Sequence, residues 1–276
     1  MKKEVIRESD YQQNERPETR RAQFFDIFRH RFVEVLKISI LQAVFNLPLI
    51  AVMILFWLFM LAATNLNSLM TVFLFTALGL FISIISIFIG MTGSFYCFKK
   101  IIYAEGEYAS SSFFTGLISE WKKGALVGII AGLSVAATVI GSFFCIYYLS
   151  SYNTAVAGFG IAILSIQALV VLILSYYSIA QLVIYENTFK AILKNSFIFA
   201  LMRFQYNLPL FIIHPGIFIA LMVIMQLTMY IGVVLLFLFV GFGHLIWMLN
   251  CLSGFDKFIN KDNYPDYYRR GLRKEA

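Results

Sequence analysis

The sequence predicts an all-α polytopic membrane protein. Six transmembrane helices form three hairpins, each preceded by a cytoplasmic amphipathic helix, and both termini are cytoplasmic. Three observations carry this reading. Of 276 residues, 60% are hydrophobic and 13% charged, whereas a soluble domain has roughly 45–50% apolar and about 25% charged residues. That balance also excludes a disordered chain, which needs low hydrophobicity. Three runs, at positions 38–98, 124–185 and 204–255, contain no Asp, Glu, Lys or Arg. All 22 Lys and Arg fall in four segments, up to Lys37, 99–123, 186–203 and after 255, and the positive-inside rule places such segments in the cytoplasm.

Each run is two to three times the length of about 20 residues that one helix needs to cross a bilayer, so each is read as two helices and a turn. Thr64-Asn65-Leu66-Asn67-Ser68 divides the first into Ile38–Ala63 and Leu69–Phe98. Ser150-Ser151-Tyr152-Asn153-Thr154 divides the second into Gly124–Leu149 and Ala155–Tyr185. The third, from Asn207 to Leu252, has no polar cluster, and equal arms put its turn near Gln226–Ile231. The chain is thus organised as a polar tail (1–23), a six-helix membrane domain (24–252) and a basic tail (253–276). Because 37 polar or amphipathic residues precede the first apolar stretch, no cleavable signal peptide is expected.

The segments before the hairpins share helical apolar spacing. They are Phe24, Phe28, Phe32, Val35 and Leu36; Phe113, Phe114, Leu117, Ile118 and Trp121; and Phe189, Ile192, Leu193, Phe197 and Leu201. Such helices lie in the headgroup layer with the apolar face down, or dock a cytoplasmic partner, for which Phe113, Trp121, Phe197 and Leu201 are the candidates. Asn-Leu-Pro-Leu occurs twice, at 46–49 and 207–210, the signature of a partial internal repeat.

Ionisable residues inside a membrane are costly and functional. None of the expected spans holds Asp, Glu, Lys or Arg, which disfavours proton pumps and carboxylate-coupled antiporters. His214 and His244 each lie fifteen residues from a turn at Met229, so both reach the same depth. They form either a polar pair or two separately satisfied histidines, and two ligands fall short of the four of a structural zinc site. Cys97, Cys145 and Cys251 have no metal-site or disulfide spacing. Gly124, Gly128, Gly132 and Ala136 line one helix face at spacings of four, a stripe for close helix approach, within this chain or against a second copy. Gly90 and Ser94 form a shorter stripe. No phosphate loop, His-Glu-x-x-His or Gly-x-Ser-x-Gly occurs, so neither enzyme activity nor a cofactor is expected. The basic residues are interleaved with 15 acids, which argues against nucleic-acid binding.

Several stretches carry a resemblance. They include Phe24-Phe25-Asp26-Ile27-Phe28, Asn46-Leu47-Pro48, Gly90-Met91-Thr92-Gly93-Ser94 and Lys190-Ala191-Ile192-Leu193-Lys194-Asn195-Ser196. In the tail, Phe255-Asp256-Lys257-Phe258-Ile259-Asn260-Lys261 and Tyr264-Pro265-Asp266-Tyr267-Tyr268-Arg269-Arg270-Gly271-Leu272 continue them. Together, from residue 24 to 272, they resemble the YesL-like (DUF624) family of Bacillota membrane proteins, a family of unassigned function. Met91 stands where that pattern has a proline. The resemblance implies a bacterial plasma-membrane location and a link to carbohydrate uptake, and it supplies no catalytic residues. The expected function is an accessory or regulatory component that assembles with a transporter or sensor membrane protein. The alternative is a permease-type subunit of an ABC-like importer, with segment 190–209 as coupling helix for an ATPase subunit. Residues 190–208 lack the glycine such a loop carries.

Overall fold

A computed structural model of the chain describes residues 16–105, 109–216 and 229–273. All regular structure among them is helical. Helix α1 (Arg20–His30) starts at Thr19, whose hydroxyl accepts from the Ala22 N–H at 3.1 Å. The backbone leaves the helical region at Arg31 (φ −126°, ψ 19°), and α2 runs from Phe32 to Ala62. The first amphipathic segment therefore breaks before the span and does not feed into it unbroken. Asn65 and Ser68 cap each other reciprocally at the start of α3 (Leu66–Ile102), a capping box that satisfies two orphan backbone donors. The polar cluster expected as a turn is thus shorter, and Asn67 and Ser68 already belong to α3.

Helix α4 (Ala109–Tyr147) corrects one expectation. The second amphipathic segment, Phe113 to Trp121, is not a separate helix but the first turns of this 39-residue helix. No proline or capping residue interrupts it, and Gly116 and Gly124 are used for close packing on α3. A 3-10 turn (Leu149–Ser151) follows, and Asn153 caps α5 (Thr154–Ile184) by accepting from Ala155 and Val156. Thr188 caps α6 (Phe189–Met202). The chain turns at Arg203 into α7 (Phe204–Phe211), which continues as a π-helical turn (Ile212–Gly216). The last helix, α8, spans Met229–Phe255.

Four helices, α2 to α5, are long and apolar enough to cross a membrane, and a fifth candidate is the α6–α7 pair, bent by 87°. At 1.5 Å per residue α2 and α5 reach about 45 Å, longer than a hydrocarbon core of about 30 Å. Of the expected third turn, 226–228 lies outside the described residues, and Met229 to Ile231 belong to α8.

Helix α3 is the centre of the bundle, packed against α2, α4, α5 and α8. The glycine stripe makes its contact with α4. A β-carbon on Gly128 would lie 2.7 Å from the Ile85 Cα, and one on Gly132 would lie 2.9 Å from the Phe81 carbonyl oxygen. Ala136, one turn on, is half-buried. Of the two partners open to this stripe, α3 of the same chain occupies it. The Gly90–Ser94 face meets α2: Gly90 lies against Phe45, and Ser94 donates to Gln42 at 2.9 Å.

Because the neighbours of the stripe are backbone atoms, Gly128→Leu and Gly132→Leu are each expected to destabilise the protein by about 1–3 kcal/mol or more. Leu133→Ala, on the exposed side of the same helix, should stay within about 0.5 kcal/mol. Thermal unfolding of the detergent-solubilised variants measures both.

Candidate functional site

Polar and charged groups gather in three places: at the charged end of the bundle, in a neutral network lower down, and around the two histidines. At the charged end, Arg20 on α1 bonds Asp256, just after α8, through Nη2 at 2.8 Å and Nε at 3.0 Å. Both residues are buried. Arg20 also donates to Gln23 and to the Arg270 carbonyl, while Gln23 donates to the carbonyls of Ile102 and Gly271. Gly271 has φ +80°, and a β-carbon there would run into the Ile102 carbonyl. Only glycine fits both conditions. On the other side of Asp256, Asn260 donates to its Oδ1 at 2.8 Å and accepts from the Tyr185 hydroxyl. Arg270 pairs with Glu105 at 3.1 Å and lies over the Tyr103 ring. Burial pushes the Tyr103 and Tyr185 phenols well above the ordinary tyrosine range, so both remain neutral. Lys99 reaches the Val183 carbonyl at 2.8 Å, a cation on the last turn of α5, where the helix dipole favours it.

Below this end the polar contacts are between neutral groups, apart from those of Arg203. Gln42 donates to Asn46 and to the Ile87 carbonyl. Asn207, the first residue of the second Asn-Leu-Pro-Leu, accepts from the Tyr177 hydroxyl and from Asn250, both at 2.9 Å. Arg203 donates to the Asn250 carbonyl at 2.5 Å. The asparagines of both repeated tetrapeptides are buried and hydrogen-bonded, Asn207 to several partners and Asn46, among the described residues, to Gln42 alone, a use that the polarity of Asn inside an apolar run signals in the sequence.

The structure brings His214 and His244 together, with ring centroids 5.5 Å apart and planes at 75°. Both are buried. His214 sits in the π-helical turn and its ring lies against Gly243, where a β-carbon would overlap it. Tyr176 on α5 meets both imidazoles and stacks on Trp247 at 4.4 Å, and Phe95 on α3 covers His244. Nδ1 of His244 and Nε1 of Trp247 are buried without a hydrogen-bond partner. Such groups are rare and costly in folded proteins. No group of three or more His, Cys, Asp or Glu gathers here or elsewhere among the described residues. The cluster therefore offers hydrogen-bond donors and acceptors and no fixed charge. Tyr176 and Trp247 carried no signal in the sequence beyond general apolarity.

The four candidate docking residues separate. Phe113 is fully buried between Gly93 and Phe45 and cannot dock a partner. The continuity of α4 turns it inward onto α3. Trp121, Phe197 and Leu201 are exposed, the last two at 49% each. Beside α6 runs an open groove of about 690 Å³, bounded by Asn187, Ala191, Asn195, Ile198, Met202 and the C-terminal Phe258, with Asn263 and Tyr264 at its far wall.

Comparison of the chain with the models of known protein families, with curated proteins and with solved structures returns no match.

Two outcomes follow from the geometry. Asp256→Ala leaves Arg20 buried without its counter-charge and should cost about 3–5 kcal/mol, read as a fall in thermal midpoint. Gly243→Ala should cost about 1–3 kcal/mol by forcing the His214 ring aside. Combined with His214→Ala, the pair should be less destabilised than the sum of the two single changes, by a coupling of about 0.5–3 kcal/mol. Strict additivity in this double-mutant cycle would mean that the ring and Gly243 are not in contact.

Proposed function

We propose that this chain is a multi-pass protein of the bacterial plasma membrane, with six spans and cytoplasmic termini, acting as an accessory or regulatory component linked to carbohydrate uptake. The observation that carries the reading is the geometry of α6. It is a 14-residue helix set at 87° to α7, with Ile192, Ser196, Phe199 and Ala200 buried and Phe197, Ile198, Leu201 and Met202 exposed. A short helix lying across the end of a bundle, with one face anchored and one apolar face open, is a surface for a transporter or sensor membrane protein alongside. The link to carbohydrate uptake rests on the family resemblance. The absence of catalytic motifs from the sequence supports a non-enzymatic role.

The same elbow favours a second reading, a permease-type subunit whose α6 couples to an ATPase subunit. Against it stands the lack of glycine between residues 190 and 208.

Photo-crosslinkers placed at Phe197 and Leu201 in living cells test both. The accessory reading expects a crosslink to one integral membrane protein, reduced at least about tenfold, equivalent to 1.4 kcal/mol, by Leu201→Glu or Phe197→Glu at unchanged expression. A crosslink to an ATPase subunit, with ATP-dependent sugar uptake in proteoliposomes, would replace it with the permease reading. No crosslink at either position would remove α6 as the docking surface. Maleimide labelling of a cysteine introduced at Lys257 should require membrane permeabilisation, which checks the cytoplasmic orientation.

A further inference from the structure

The groove beside α6 has two unlike ends. Asn187, Ala191 and Asn195 line it along the first half of α6, with Asn263 and Tyr264 facing them, and the Tyr264 hydroxyl donates to Asn187 at 3.2 Å. Along the second half it is bounded by Ile198, Phe199, Met202, Phe258 and Ile259. One end therefore presents amides and a phenol, the other only hydrocarbon and rings.

Its rim is positive. The Lys257 ammonium lies 5.2 Å from the centre of the Phe258 ring, at the groove wall. Lys190 and Lys194 immediately precede the lining residues Ala191 and Asn195, and Lys261 is two residues from Asn263. All four lysines are exposed, and none forms an ion pair with a described residue. The acids at the same spacing from lining residues are Glu186, Asp262 and Asp266, three against these four, with Asp256 already paired to Arg20. Helix α6 meets the candidate span α7 at 87°, and on the proposed topology, on which this inference rests, a helix so placed lies at the level of lipid headgroups.

We infer that this groove binds one anionic phospholipid, with the phosphate-bearing headgroup among the asparagines and lysines and the acyl chain along Ile198, Met202 and Phe258. Lysines near an anionic membrane surface attract it independently of any shape, but diffuse attraction does not need a groove. The amide end and the apolar end together match a molecule that is itself charged at one end and hydrocarbon at the other. The acyl chain shares Ile198 and Met202 with the open face of α6, whereas Phe197 and Leu201, the crosslinking positions, lie outside the groove lining.

The test is native mass spectrometry of the full chain, released from nanodiscs of equal phosphatidylglycerol and phosphatidylcholine. Wild type should retain phosphatidylglycerol at least about fivefold over phosphatidylcholine, the gain one lysine near an anionic headgroup supplies. Ala191→Trp fills the groove and keeps every charge, and it should abolish the preference. If Ala191→Trp does not fold, Asn263→Trp, on the exposed C-terminal segment, fills the same space and should have the same effect. Lys190→Gln with Lys257→Gln should lower retention without altering the thermal midpoint in lipid-free detergent. Equal retention of the two lipids overturns the inference. So does a preference that survives both groove-filling variants, which would be diffuse attraction. Displacement of the lipid by millimolar inorganic phosphate would overturn it in favour of a free-phosphate site.

Discussion

The ion pair between Arg20 and Asp256 joins positions 236 residues apart in the chain, and the charged end of the bundle is organised around it. Two opposite charges removed from water are worth keeping only if their remaining donors and acceptors are also satisfied. Here they are: Gln23, Asn260 and the Arg270 carbonyl complete the hydrogen bonding. Those partners bring in α1, the ends of α3 and α5, and the C-terminal segment. The C-terminal segment is thus part of the fold's interior at this end, although its composition reads as a solvated basic tail.

Away from that end, cohesion comes from shape and from neutral hydrogen bonds. In an apolar solvent there is no gain in burying one hydrocarbon surface against another, so close backbone approach and side-chain hydrogen bonds select the partners. The α3–α4 contact uses the first through Gly124, Gly128 and Gly132, and the contacts of α7 with α5 and α8 use the second through Asn207, Tyr177 and Asn250. The histidine cluster is the exception in this scheme. It places imidazole and indole nitrogens where no partner satisfies them all, and elsewhere among the described residues Gln181 Oε1 and the Tyr103 hydroxyl are buried in the same state.

How much of this was legible in the sequence depends on the range of the physics involved. Long apolar helices follow from local composition, and their caps from single residues such as Asn65 and Asn153, so both could be read directly. The glycine stripe follows from helical periodicity, which is also local, whereas the nearness of His214 and His244 is reached by counting from a turn at Met229, a residue that belongs to α8. Arg20 and Asp256 look like any other charges near helix ends, because nothing local marks a pair so distant. Phe113 was read as a docking residue because it sits in an amphipathic pattern. That pattern does not say which side is covered once the helix continues without a break into a span. The groove beside α6 needs the C-terminal Phe258 and Tyr264 as its far wall, and periodicity on α6 alone cannot supply them.

The clasp between α1 and the C-terminal segment also fixes a parity. Residues 20 and 256 touch, so they lie on the same side of any membrane the chain crosses, and the number of crossings between them is even. Helices α2 to α5, each long and apolar enough to cross, count as four candidate crossings, and α5 returns to the clasped end, where Tyr185 meets Asn260. The chain from Arg203 to Asp256 then leaves that end and comes back to it. With those four counted as spans, an even total means that α7 and α8 add either two crossings or none, so the bent α6–α7 pair is not a lone fifth span.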